Sequence, residues 1–142
     1  MIYTDDTKKA LRLCFEAHKN QVDKSGMPYV FHPFHLAEQM KDEKNTIVAL
    51  LHDVIEDTDY TFEDLMQIGF DDDIIDALRL MTHDDAVPYM TYVASIKENP
   101  IACTVKLADL QHNSDLTRLD VVDEKAIKRK EKYAEAIRLL NE

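Results

Sequence analysis

The stretch Leu50-Leu51-His52-Asp53-Val54-Ile55-Glu56-Asp57-Thr58 decides how this chain is read. Ile47, Val48, Leu50, Leu51, Val54 and Ile55 recur at helical spacing and predict one continuous helix with an apolar face. His52, Asp53, Glu56 and Asp57 interrupt it. Residues four apart are neighbours on a helix, which places His52 beside Glu56 and Asp53 beside Asp57. A lone His-Asp pair reads as a hydrogen-bonded helix edge. Four ionisable groups among aliphatic residues point elsewhere, because burying them unpaired is costly and a divalent cation would remove that cost.

Around this stretch the chain reads as one all-α domain spanning residues 1–142. Its 142 residues suffice for a sizeable core, and 45% apolar with 32% charged residues fit a globular protein. Two Gly and four Pro leave few chain breakers, which favours helices. The net charge of −11 argues against a nucleic-acid partner, and an anionic substrate would need local help from lysines or a metal. Cys14 and Cys103 sit in apolar helical contexts and read as small core residues in a reducing compartment. Asp5 and Asp6 interrupt any leader pattern, and no run approaches a membrane span. The expectation is a cytoplasmic protein.

Taken in order, a Thr4 or Asp5 cap opens a first helix running to about Val22, with His18 making a structural hydrogen bond. Asp23 to Tyr29 is a loop in which Lys24 and Ser25, beside Gly26, are suited to a phosphate. His32-Pro33 opens a second helix. His32 and His35 share a face, and His32, next to the loop, is better placed as a ligand. Asn45 or Thr46 caps the central helix. Thr61 to Asp64 forms a capping box for a short helix that stops at Gly69. Asp71 to Asp73 begin the next helix, their charges suited to its N-terminus. Thr82 to Val87, with His83, reads as a surface loop. Pro88 and Pro100 open two further helices. The second is so apolar that Asp109 stands out, with Lys106 and Asn113 on its face. A last helix from Glu124 to Leu140 turns Ile127, Tyr133, Ala134, Ile137 and Leu140 inward.

Three separated helices thus each offer polar groups in apolar surroundings: His32, His52 with Asp53, and Asp109. Two imidazoles and two carboxylates neutralise a divalent metal, and mixed nitrogen and oxygen donors suit Mn²⁺, Fe²⁺ or Zn²⁺. Glu56 and Asp57, one turn beyond, are placed to act as general base or acid. Read together, Ala17-His18, Gln21, Lys24-Ser25-Gly26, Pro28-Tyr29, His32-Pro33, Leu51 to Thr58, Thr61, and Lys106-Leu107-Ala108-Asp109 followed by His112-Asn113 resemble the HD-type hydrolase domain of the RelA/SpoT alarmone enzymes. Order and spacing agree from about residue 10 to 119. The resemblance implies an all-α HD-domain bundle, Mn²⁺ held by His32, His52, Asp53 and Asp109, and catalysis by Glu56 and Asp57. It also implies removal of the 3′-pyrophosphate from (p)ppGpp, with Lys24, Ser25 and Asn113 contacting the nucleotide.

The sequence departs from that pattern in four places. Asp23 stands where the family has Arg before Lys-Ser-Gly, and Leu110 where Arg follows Asp109. The segment between Thr82 and Lys106 is shorter, and one residue is added after Asn113. Asp23 is expected to repel an anionic substrate, so Asp23→Arg should improve use of (p)ppGpp. The leading reading is a metal-dependent phosphohydrolase of (p)ppGpp or a related nucleotide. Its alternatives are a phosphatase of another nucleotide, such as a nucleoside monophosphate, and a non-catalytic nucleotide-sensing domain.

Overall fold

Thr46 to Leu51 is an unbroken run of buried residues, so this helix meets protein on every side. A computed structural model describes all 142 residues. In chain order the helices are α1 Asp5–His18, α2 Phe31–Glu38, α3 Glu43–Leu51, α4 Val54–Asp57, α5 Phe62–Ile68, α6 Asp72–Met81, α7 Tyr89–Ile96, α8 Pro100–Asn113 and α9 Glu124–Asn141. A 3₁₀ turn, Leu116–Arg118, joins α8 to α9. There is no strand; Val22 and Pro28 pair once across the 23–29 loop. The fold is all-α, and α3 is its axis, packed against α1, α2, α6 and α8. Ile47, Leu50, Leu51, Leu36, Leu65, Leu78 and Val105 are among the core residues around it. No helix is long and apolar enough to cross a membrane.

Local chemistry sets the helix ends. Thr4 accepts from Thr7 N–H and Thr61 from Asp64 N–H, each in a reciprocal capping box. Gly69 ends α5 at φ 104°, a left-handed backbone that a side chain would strain. Pro100 occupies the first turn of α8, behind the Asn99 cap.

Several boundaries differ from the sequence reading. The first helix ends at His18, not near Val22. Its chain turns there because Gln21 N–H donates to the His18 carbonyl, and the His18 ring bonds the Gln21 side chain at 2.8 Å. The central helix starts at Glu43, because Asp42 rather than Asn45 or Thr46 caps it, accepting from Asn45 N–H at 2.8 Å. That helix is also not continuous through Thr58. The Ala49 carbonyl, which Asp53 N–H would meet in an unbroken helix, instead pairs with His52 Nδ1 at 2.7 Å. Asp53 takes φ −106° and ψ 1°, and the chain re-enters helix at Val54. A side chain has displaced the backbone ladder. On α9, Ile127 faces solvent at 47% exposure, and Ala126 and Ala136 are buried instead.

Candidate metal centre and flanking clefts

Helix packing brings His32 from the first turn of α2, His52 from the end of α3 and Asp109 from α8 into one cluster. Their donor atoms all lie within 4.8 Å of one another, and all three side chains are buried. His32 Nε2 is 2.9 Å from Asp109 Oδ1, and His52 Nε2 is 3.5 Å from the same oxygen. Asp53 joins at the edge, its Oδ2 3.0 Å from His52 Nε2. The packing of α2 and α8 on α3 makes this convergence possible.

The protonation of His52 follows from geometry. A carbonyl only accepts, so the contact with Ala49 O puts a hydrogen on Nδ1. Nε2 then offers a lone pair, is buried, and has no hydrogen-bond partner although two carboxylates face it. That arrangement needs a positive charge between ring and carboxylates. Burial opposes a proton on His52, but Asp53 and Asp109 outweigh it and raise the imidazole well above its ordinary pKa. A divalent cation meets the same need, so the donor set fits one.

Each acidic member is held by its own partners. Burial works against the charge on Asp109, but Lys106 and the two imidazoles hold it well below the usual carboxylate range. Lys106 Nζ donates to Oδ2 and Asn113 Nδ2 to Oδ1, both at 2.9 Å. This is the helix-face arrangement expected from the spacing. Burial also opposes the charge on Asp53, and His52 draws its pKa down. The Tyr29 hydroxyl donates to Asp53 Oδ2. The phenol stays protonated, because burial and the carboxylate both raise it. His32 Nδ1 meets His112 Nδ1 at 2.7 Å, with the two ring planes within 3° of parallel. Partial burial, then Arg118 and the neighbouring histidines, push His112 down to about 4. Neutral His112 can accept from His32 Nδ1–H, which leaves His32 Nε2 directed at Asp109.

Besides a cleft of about 380 Å³ that borders His32, His112 and Arg118, two clefts flank the cluster and meet at Asn113 and Tyr133. The larger of these two, about 350 Å³, takes in Lys24 and Asn113 together with Tyr29 and Arg118. Ser25 does not line it; its hydroxyl accepts from Asp120 N–H at 3.0 Å. The smaller, about 230 Å³, contains Glu56, Lys106, Asp109 and Lys132. Glu56 accepts from the His83 N–H. Partial burial and the Asp53 charge raise Glu56 above the ordinary range, and the same two causes raise Asp57. Asp57 lines neither cleft.

No family model matches the chain. The guanosine-3′,5′-bis(diphosphate) 3′-pyrophosphohydrolase of Aquifex aeolicus is 30% identical over 123 residues, covering 78% of this chain and 18% of that protein. The bifunctional (p)ppGpp synthase/hydrolase SpoT of Escherichia coli is 31% identical over 128 residues, covering 77% and 18%. A solved metazoan ortholog of SpoT that hydrolyses ppGpp superposes with a TM-score of 0.78 at 25% identity, covering 99% of this chain and 88% of that one. The chain is an HD domain of the RelA/SpoT hydrolase type. It spans less than a fifth of the length of the curated relatives it matches.

Several groups of this HD domain escaped the sequence reading. His83 is not simply loop surface. Its ring stacks on Tyr92 with centroids 4.4 Å apart, its Nε2 meets Val87 O at 2.7 Å, and it lines the cleft with Glu56. The local sequence is polar, so only the stacking partner reveals it. Arg118 ends a polar 3₁₀ turn, and only the folded chain brings it into the larger cleft. Asp23 lines the larger cleft and also has a local role that the sequence does not announce. Its Oδ1 accepts from Ser25 N–H at 2.8 Å and Met27 N–H at 3.0 Å, and its Oδ2 faces Arg118. It ties the loop of the HD domain, as Asp commonly does in turns.

Proposed function

We propose that this HD domain is a metal-dependent phosphohydrolase that removes the 3′-pyrophosphate from guanosine-3′,5′-bis(diphosphate). The observation that carries this reading is His52 Nε2, buried without a hydrogen-bond partner and gathered with His32 and Asp109 in one cluster. The names of its relatives supply the substrate. His32, His52, Asp53 and Asp109 would hold the cation, and their mixed donors suit Mn²⁺, with Fe²⁺ and Zn²⁺ as alternatives. A bound divalent cation supplies Lewis-acid activation of the phosphoryl group and the attacking water.

The chain's own residues do the rest. Lys106 and Asn113 fix both oxygens of Asp109, and Tyr29 fixes Asp53. Glu56, raised in pKa and open to the smaller cleft, is suited to exchanging a proton during cleavage. Asp57 is a second carboxyl of raised pKa in the same short helix. Lys24 offers its ammonium to the substrate phosphates in the larger cleft. The Ser25 hydroxyl, while accepting from Asp120 N–H, still has a hydrogen to donate to a phosphate. Asn113 retains one amide hydrogen for the nucleotide after bonding Asp109.

The test is chromatography of ppGpp incubated with purified protein and Mn²⁺. GDP and pyrophosphate are the expected products. Absence of turnover with Mn²⁺, Fe²⁺ and Zn²⁺ alike would overturn the reading. Turnover of nucleoside monophosphates alone would replace the substrate and keep the chemistry.

A further inference from the structure

The larger cleft carries positive groups that the overall charge of −11 does not suggest. Lys24, Arg118 and Arg129 line it, against the carboxylates of Asp23 and Asp115. Tyr29 and Tyr133 supply flat apolar faces beside them. The three cations are not equivalent. Lys24 and Arg129 make no hydrogen bond or ion pair to other side chains, so a ligand would have to order them. Arg118 is already placed. Its side chain is 25% exposed, and NH1 donates to His112 O at 3.0 Å and to Asn113 Oδ1 at 3.3 Å.

That anchoring uses one arm of the guanidinium. NH2 lies 4.0 Å from Asp23 Oδ2, too far for a hydrogen bond, and neither it nor Nε makes one. A planar fork held at one end with donors left over is suited to phosphate oxygens, and its prior ordering lowers the entropic cost of binding. Asp23 cannot swing freely toward a ligand, because two backbone N–H groups hold its other oxygen. It therefore acts as a weak counter-ion that an incoming anion displaces.

We propose that Arg118 is the pre-ordered cation of this cleft and binds the phosphates of a nucleoside diphosphate, with Asp23 as its resting partner. The identity of that ligand rests on the hydrolase reading above; the placement of Arg118 does not.

The experiment is calorimetric binding of GDP to the Mn²⁺-loaded protein, with Arg118→Gln, Arg118→Lys and Asp23→Asn as variants. Losing charge-assisted hydrogen bonds should weaken GDP by roughly 10- to 100-fold in Arg118→Gln. Arg118→Lys should recover part of that loss. Asp23→Asn keeps an oxygen for the loop N–H groups and removes the counter-charge, so GDP should bind roughly two- to fivefold tighter. A merely structural role for Arg118 would not make the two sites change affinity in opposite directions. Metal content and Tm, read in parallel, should match wild type. GDP affinity of Arg118→Gln within twofold of wild type would overturn the proposal. So would weaker binding by a folded Asp23→Asn, or no measurable binding by wild type. Arg118-dependent GDP binding without ppGpp turnover would sink the hydrolase reading and leave this one standing. Turnover with unchanged affinity in Arg118→Gln would do the reverse.

Discussion

Glu56 is the residue at which activity and stability pull apart. Its carboxyl is raised by partial burial and by Asp53, so the folded protein disfavours its ionised form relative to the unfolded chain. A raised carboxyl costs stability above its folded pKa, and the cost fades as pH falls through that value toward the unfolded one. Glu56→Gln keeps an oxygen for the His83 N–H and removes the charge. It should therefore melt at or above the wild-type temperature at pH 7. In the same variant kcat for ppGpp should fall by about 10²–10⁴-fold, the usual loss for a positioned acid or base. Calorimetry and steady-state kinetics on one preparation check both halves, with metal content unchanged. Cys14 gives a second residue-level expectation. It is buried, and desolvation pushes its thiol up to about 12. At pH 7.5 an alkylating reagent should label Cys103 first and reach Cys14 only on unfolding, which peptide mass spectrometry resolves.

At the scale of elements, caps and breaks do most of the positioning. The turn at His52-Asp53 carries both side chains into the cluster. A continuous helix would have kept Asp53 in line with Asp57, whose N–H still bonds the Asp53 carbonyl at 3.0 Å. The 23–29 loop is tied to α4 by Gln21, whose amide donates to the Asp57 carbonyl at 2.8 Å. Gly69 shows what an end can cost. A Cβ there would meet nothing closer than Lys9 Nζ at 3.9 Å, so space is available and only backbone strain is at issue. At φ 104° Gly69→Ala should lose about 1–2 kcal/mol. Urea denaturation should show that loss with an unchanged m-value, because the core is untouched.

At the scale of the whole molecule, a cation in the cluster would join α2, α8 and the α3–α4 turn. Anything that binds only the folded state stabilises it by mass action, about 2.7 kcal/mol when free metal is a hundredfold above Kd. For a chain of this length that is a rise in Tm of roughly 10 °C. Adding Mn²⁺ to chelator-treated protein should show it by differential scanning calorimetry, and His52→Ala should abolish it. An equal rise in His52→Ala would place the ion elsewhere.

What the sequence determined by itself is local. Periodicity announced most of the helices, the Thr61 box and Gly69 marked α5, and the spacing of Lys106, Asp109 and Asn113 gave one helix face, because residues three and four apart must meet. The histidines and carboxylates stood out because ionisable groups in apolar helices need a partner. Asp42 and Ile127 were misjudged for the opposite reason. Several polar residues near α3 are competent caps, and the amphipathic pattern of α9 does not fix which side of its first turn is covered, where Ala126 is buried and Ile127 exposed. Tertiary structure alone decided which groups share space. His32, His52 and Asp109 converge because α2 and α8 pack on the buried α3. His83 reaches Glu56, and Arg118 comes to stand beside Asp23, through chain folding that no short spacing encodes. Even the break at His52 is tertiary in origin: a side chain drawn into a buried cluster met the Ala49 carbonyl, and the backbone ladder yielded to it.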